Sequence, residues 1–356
     1  MYGMVAMIVS ASGATKGWTG RLRMGGQMKY DVDYDYEYEV NEAGLNIIPE
    51  GTTHDGELYV LPNGRYMPSG VYFDPKSGLD VIYEPSELSP FQEMLESLPT
   101  AKLRDAIYGL AVGDALGVPY EFKPRGTFAC EGMVGHGTHN QPAGTWSDDT
   151  SMTLATCDSI RELGRVDTDD IRHRFERWLH GGEYTPDGLV FDCGITVSSA
   201  INAGRGLAGE RDNGNGSLMR IAPLAFTDAA DDEVRAVSAI THAHDMSCSL
   251  CVDYVHILRE LAGGGSASDV AGVWRDRPAP ASGGFVRYTY DAALWCLANT
   301  DSYRDCVLAA VNLGDDTDTT AAVAGALAGV LYGYDAIPAE WLDTLRAKDL
   351  IDACLF

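Results

Sequence analysis

The sequence predicts a mostly α-helical domain preceded by a small β-rich module, and three observations carry that reading. Ala321–Val330 consists only of alanine, valine, leucine and glycine, and a helix that is apolar on every side belongs in a protein core. Tyr30-Asp31-Val32-Asp33-Tyr34-Asp35-Tyr36-Glu37-Tyr38-Glu39-Val40 alternates strictly, the period of a strand with one apolar face. From Thr100 onward no strand period of comparable strength recurs, and apolar residues fall at helical spacing. The boundary lies in the proline-punctuated stretch Pro85–Pro99, which also has room for a short helix. The chain therefore divides into an acidic β-rich module at residues 1–97 and an α-helical domain at residues 98–356.

In the module, Met4–Val9, Glu57–Leu61, Gly70–Phe73 and Leu79–Tyr83 are further strand-like pieces between Gly, Pro and Asn turn signals, with Asn63-Gly64 a hairpin turn. The tyrosine and acid ladder suits either a solvated acidic sheet face or a docking surface for a basic partner. In the second domain, Lys102–Leu116 repeats apolar residues at Leu103, Ile107, Leu110 and Leu116. Helices are also expected over Leu154–Leu163, Ile171–Leu179, Thr196–Ala203, Cys248–Leu261, Asp291–Leu297, Tyr303–Asn312 and Trp341–Leu350. No fixed-period repeat is present.

The 356 residues are 45% hydrophobic and 22% charged, with a formal net charge of −26. That charge argues against nucleic acid and anionic membrane as general partners. An anionic ligand would need cations at its site. No segment approaches the roughly 20 apolar residues of a membrane span. The Met4–Val9 run is short and lacks a basic flank, so no signal peptide is expected and the cytoplasm is the default. The eight cysteines are scattered, with one Cys-x-x-Cys at Cys248 and Cys251. They read as reduced structural thiols, with a metal or redox role the alternative.

The chemistry concentrates at two helix starts. Gly314-Asp315-Asp316-Thr317-Asp318-Thr319-Thr320 opens the apolar helix. One acid there is an ordinary cap, but three acids on a helix that must be buried need partners, and a hard divalent cation is an economical one. Gly144-Thr145-Trp146-Ser147-Asp148-Asp149-Thr150 repeats the logic; alone, Ser147 would be an N-cap with acids in its first turn. Oxygen-only ligands without clustered His or Cys point to Mg²⁺ or Mn²⁺ rather than zinc. Two such segments could hold a pair of ions roughly 3.5–4 Å apart. A third stretch, Gly109–Phe122, spaces Gly109, Gly113 and Gly117 by four for close helix packing, and Glu121 follows in a loop. On its own Glu121 reads as a surface acid. Gly204-Arg205-Gly206-Leu207-Ala208-Gly209 fits a dinucleotide-binding string, but a helix-like segment precedes it where that motif needs a strand.

These stretches, with Asn213-Gly214-Asn215-Gly216-Ser217-Leu218-Met219-Arg220 and Thr241-His242-Ala243-His244, stand in the order seen in the ADP-ribosylglycohydrolases, which the chain resembles over about residues 100–356. The resemblance implies an all-α fold with two Mg²⁺ or Mn²⁺ ions in a central cleft, held by Ser147, Asp148, Asp149, Asp316, Asp318 and Thr319. It implies a ligand or catalytic role for Glu121, with Glu121 and Asp316 the candidate general bases. Asp192, Gly194, Asn213, Gly214, Asn215, Gly216, Ser217 and Met219 match segments that hold ADP-ribose. His242 matches a ligand-side position or is a satisfied structural histidine. Phe285 matches an aromatic that stacks on the ligand or is a core residue. Two departures stand out: Ser147 replaces the usual threonine, and Asp315 replaces a usual glycine. The implied reaction is hydrolysis of the bond between ADP-ribose and an acceptor atom of a modified protein, with arginine nitrogen the favoured acceptor. The alternative is a binding protein whose module docks on an ADP-ribosylating enzyme or its target, with hydrolysis secondary or lost.

Overall fold

A computed structural model of the chain describes residues 19–24, 27–33, 36, 38–41, 45–55, 58–62, 67, 70–77, 79–83 and 89–356. The chain forms two compact units, residues 1–98 and 99–356.

The first unit contains β1 (Thr19–Met24), β2 (Gln27–Asp33), β3 (Asn46–Ile47), β4 (Thr53–Asp55), β5 (Leu58–Val60), β6 (Gly70–Asp74) and β7 (Leu79–Tyr83). β1 pairs antiparallel with β2 and β4 with β5, while β3, β6 and β7 form a three-stranded sheet with β3 parallel to β6. Among the described residues its core holds Ile48, Leu61, Met67 and Tyr72, with Tyr36, Tyr38 and Tyr59 packed against it. The alternating ladder is therefore not one strand. β2 ends at Asp33, and Tyr36 and Tyr38 lie in no strand. Their rings stand 5.0 Å apart, and Tyr38 is 5.4 Å from Tyr72. The aromatic half of the alternation has found apolar neighbours, as large half-polar rings do. Met4–Val9 and Asn63-Gly64 lie outside the described residues.

The second unit is helical, and no strand occurs between residues 99 and 356. The helices are α1 (Ser89–Gly117), α2 (Asp148–Leu163), α3 (Thr168–Gly181), α4 (Ile195–Ala203), α5 (Asp231–Ala239), α6 (Asp245–Ala262), α7 (Ala267–Ala271), α8 (Val286–Ala298), α9 (Tyr303–Asn312), α10 (Thr317–Tyr332), α11 (Ala339–Thr344) and α12 (Lys348–Cys354). Two expectations need correction. The separate short helix before Pro99 is instead the start of α1, which runs on through that proline. Trp341–Leu350 is two helices, because Arg346 N donates to the Gly144 carbonyl at 3.1 Å and Ala347 adopts φ 47°. Helix α5 was not foreseen; its nine residues bury only Val234, Val237 and Ser238, too short a stripe to stand out as a period.

Helix α10 is the centre of the unit: every residue from Thr317 to Val330 is buried. Its small residues let α1 approach within backbone contact. A Cβ on Gly113 would overlap the Ala321 carbonyl, and one on Gly109 the Gly325 carbonyl. Tyr303 Oη donates to Gly109 O at 2.7 Å and Tyr254 Oη to Val323 O at 2.8 Å, each tying a neighbouring helix to this pair. All eight cysteines are free, and Cys248 and Cys251 are both buried on α6.

Replacing Gly113 by alanine must part α1 from α10, and it is expected to cost at least about 2 kcal/mol by overpacking. Gly181→Ala, at a helical position with no atom within 4 Å of the added carbon, is expected to stabilise by about 0.5 kcal/mol through the unfolded chain. Urea denaturation of the two variants beside the native protein checks both.

Candidate functional site

The α1–α10 contact carries the end of α1 to the start of α10, and α2 starts beside both. Asp114, wholly buried one turn before the end of α1, organises that junction. It accepts from Ser147 N at 2.9 Å, Thr150 N at 3.0 Å and Thr150 Oγ1 at 2.6 Å. The sequence reading assigned it no role, although it is the only acid within the buried stretch of α1, and that was the available signal. Ser147 is the N-cap of α2, as expected, and its hydroxyl also donates to Asp149 Oδ2 at 3.0 Å. Thr319 Oγ1 reaches the same oxygen at 3.3 Å from α10. Asp316 is the N-cap of α10, and its Oδ2 accepts from Asn215 Nδ2 at 2.8 Å.

Two sets of oxygens converge. Single carboxylate oxygens of Asp114, Asp149 and Asp318 lie within 4.8 Å of one another, as do those of Glu121, Asp316 and Asp318. Asp114 belongs to the first set by distance, yet both its oxygens already accept from the start of α2, so it serves first as a tether for that helix. The others differ. Asp149 Oδ1, Asp316 Oδ1 and Asp318 Oδ2 are buried and have no hydrogen-bond partner. Buried oxygens left open at this cost call for an explanation, and a hard divalent cation is one that all-oxygen donors fit. Asp148 is buried beside them, outside both close sets, and feels the charges of Asp192, Asp114, Glu121 and Asp316.

Burial is the first cause of the electrostatics, and the mutual repulsion of the acids adds to it. Asp114 is pushed up to about 6 and Glu121 to about 7. Asp148, Asp149 and Asp318 are held well above the carboxylate range, and Asp192 and Asp316 are raised. His139, which sequence reasoning missed, pairs through Nε2 with Glu121 Oε2, and that bond raises the histidine. Its ring stands against Phe122 and Phe191 at 6.0 and 5.2 Å between centroids. No motif in the loop announces this residue; only the fold brings it 18 positions back to Glu121.

The segments expected to hold a ligand gather on the same side. Asp192 offers an oxygen within 4.8 Å of Glu121 and His139. Gly194 is exposed and precedes α4, whose first turn has no side-chain cap. Gly214 and Gly216 lie over the His242 ring. His242 itself is only 1% exposed, bonds Thr241 Oγ1 through Nδ1 at 2.9 Å, and is driven down to about 3 by burial and Arg220. It therefore supports the glycine loop from behind as a neutral ring. Asn213 accepts from Ser247 Oγ at 3.0 Å, and Ser217 and Met219 are buried, with Met219 in the hydrophobic core. Phe285 is half-buried, pairs its backbone with Gly214, and meets the Tyr288 ring edge-to-face at 5.1 Å.

Comparisons with known proteins identify the family. The family model described as ADP-ribosylglycohydrolase matches residues 96–355. The chain is 34% identical over 310 residues to the ADP-ribosylarginine hydrolase Tri1 of Serratia proteamaculans, covering 78% of this chain and 84% of that protein. It is 34% identical over 266 residues to the ADP-ribosyl-[dinitrogen reductase] glycohydrolase of Rhodospirillum rubrum, covering 68% and 90%. A solved structure titled ADP-ribosylglycohydrolase-related protein complex superposes with a TM-score of 0.62 at 30% identity, over 72% of this chain and 96% of that one.

The raised acids fix the pH response of the cation-free protein. A carboxyl raised in the folded state binds its proton more tightly there, so its contribution to stability is lost as pH rises through the folded value. Raised His139 has the same sign; the depressed His242 has the opposite one, but its unfolded imidazole is already about half deprotonated at pH 6.5, so it offsets only a small part of the fall. With chelator present, urea stability is therefore expected to fall from pH 6.5 to pH 8, and added Mg²⁺ or Mn²⁺ to restore it.

Proposed function

As a member of the ADP-ribosylglycohydrolase family the chain is a hydrolase of ADP-ribosylated acceptors, and we propose that it frees ADP-ribose from arginine side chains of a modified protein. The arginine acceptor rests on the two relatives named ADP-ribosylarginine hydrolase, at 34% and 35% identity. The observation that carries the chemistry is the set of three open buried oxygens, Asp149 Oδ1, Asp316 Oδ1 and Asp318 Oδ2. Together with Ser147, Asp148 and Thr319 these residues would hold two Mg²⁺ or Mn²⁺ ions. Such ions supply Lewis acidity that orients ribose hydroxyls and acidifies a bound water.

The chain's own groups do the rest. Gly214 and Gly216 of the glycine loop, whose Asn215 N–H is already held by Gly284 O at 3.1 Å, and the uncapped first turn of α4 after Asp192-Cys193-Gly194 offer backbone N–H groups to the pyrophosphate. Phe285, anchored to Gly214, presents a ring to a ring of the ligand. Glu121, steadied by His139 and within 4.8 Å of Asp316 and Asp318, takes the proton of the attacking water. Asp316 is the second candidate for that task. Carboxylates around the scissile bond favour a transition state with oxocarbenium character, and the arginine leaves as a neutral guanidine that regains a proton. No described helix is long and apolar enough to cross a membrane.

Asp316→Ala is expected to lose cation affinity by calorimetry and at least about a hundredfold of the rate at which ADP-ribose is released from an arginine-modified protein. Full retention of both by the variant overturns the proposal.

A further inference from the structure

The sequence places Asn215 among ADP-ribose contacts, but its amide nitrogen is committed elsewhere. Its two amide hydrogens are spent on two acceptors: Nδ2 lies 2.8 Å from Thr289 Oγ1 and 2.8 Å from Asp316 Oδ2. Thr289, on α8, is wholly buried, and Asn215 nearly so. The same short segment also grips the Asp316 backbone, because Asp316 N donates to Ser282 O at 3.1 Å. Ser282 in turn donates to the Leu313 and Gly314 carbonyls at 3.1 and 2.9 Å. Gly284 leaves room beside the carboxylate, since a Cβ there would stand 3.1 Å from Asp316 Oδ2.

This arrangement decides which oxygen of Asp316 is free. Oδ2 receives the amide, while Oδ1 is the oxygen left without a partner. Thr289 holds the amide, the amide holds Oδ2 of the carboxylate, and Oδ1 is thereby the oxygen left open. We infer that Thr289 and Asn215 are positioning residues that act through Asp316, presenting its Oδ1 to a divalent cation, and that Asn215 is not primarily an ADP-ribose contact. The inference rests on the proposed cation site. It is independent of which acceptor the enzyme cleaves.

Supporting partners of this kind are worth about 10–100-fold in metal affinity. Calorimetric titration of the full-length chain with Mn²⁺ alone tests it. Thr289→Val, which removes the hydroxyl at constant shape and touches neither Asp316 nor a ligand, is expected to weaken Mn²⁺ about tenfold or more. Thr289→Ser should restore the wild-type value, each titration being run well below the thermal unfolding midpoint of its variant. Asn215→Leu gives a second route should the valine variant not fold: Mn²⁺ affinity must fall with it. Unchanged Mn²⁺ affinity in Thr289→Val overturns the relay. Unchanged Mn²⁺ affinity in Asn215→Leu together with lost ADP-ribose binding overturns it in favour of direct ligand contact. A wild-type chain that takes up no Mn²⁺ overturns the cation site itself, and this inference with it.

Discussion

The molecule depends on the contact of two helix backbones. Between α1 and α10 there is no side-chain layer at Gly109 and Gly113, where carbonyls of the opposite helix occupy the space a Cβ would need. That proximity brings the end of α1 to the start of α10 and so assembles acids 200 positions apart. A wider interface, filled by leucines at the usual 8–10 Å between axes, would leave Glu121, Asp316 and Asp318 as three separate helix-end acids. The close contact creates the site and also its electrostatic cost, because the same packing excludes the water that would screen the charges.

The acids fall into two kinds, and the hydrogen bonds distinguish them. Asp114 is satisfied on both oxygens by the start of α2. Its work is done within the fold: it fixes where Ser147, Asp148 and Asp149 stand. Asp149, Asp316 and Asp318 each accept on one oxygen, through the Ser147 and Thr319 hydroxyls, the Asn215 amide and the Thr319 N–H at 2.9 Å, and each keeps one oxygen open. Most buried oxygens find partners, so three open ones gathered at one junction are unusual. A half-closed set on three residues, from two different helices, has the form of a ligand cage held by its outer bonds.

What the sequence displayed was whatever depends on local pattern. The apolar run of α10, the Ser147 cap and the Asp-Asp starts could be read from neighbouring letters, because burial and capping leave a short-range signature. His139 and Thr289 could not: His139 lies in an irregular loop whose course no period encodes, and Thr289 is one hydroxyl inside an ordinary helix. Asp114 left one sign, an acid within an apolar helical stretch, but what it holds shows only once α2 docks on it. The tyrosine ladder misled for the same reason: an alternation states that two environments exist, not that a strand separates them, and Tyr36 and Tyr38 met a core without one.

Asp315, at a position where the resemblance implied glycine, is accommodated by the backbone. It adopts φ 59°, and Phe122 opposite adopts φ 63°, a region that costs L-residues about 1–2 kcal/mol each. The two strained residues hold each other: Phe122 N donates to Asp315 O at 2.6 Å, and Asp315 N donates to Lys123 O at 2.9 Å. Gly314, at φ 81°, has no such freedom to change, since a Cβ there would run into the Arg125 backbone. At Asp315 the side chain is exposed to solvent, so an acid is tolerated where only the left-handed turn is required, and aspartate visits that turn more readily than most residues. The consequence reaches the site directly. Glu121 precedes Phe122 and Asp316 follows Asp315, so this two-bond ladder sets the spacing of the two acids that are the candidates to take the water's proton.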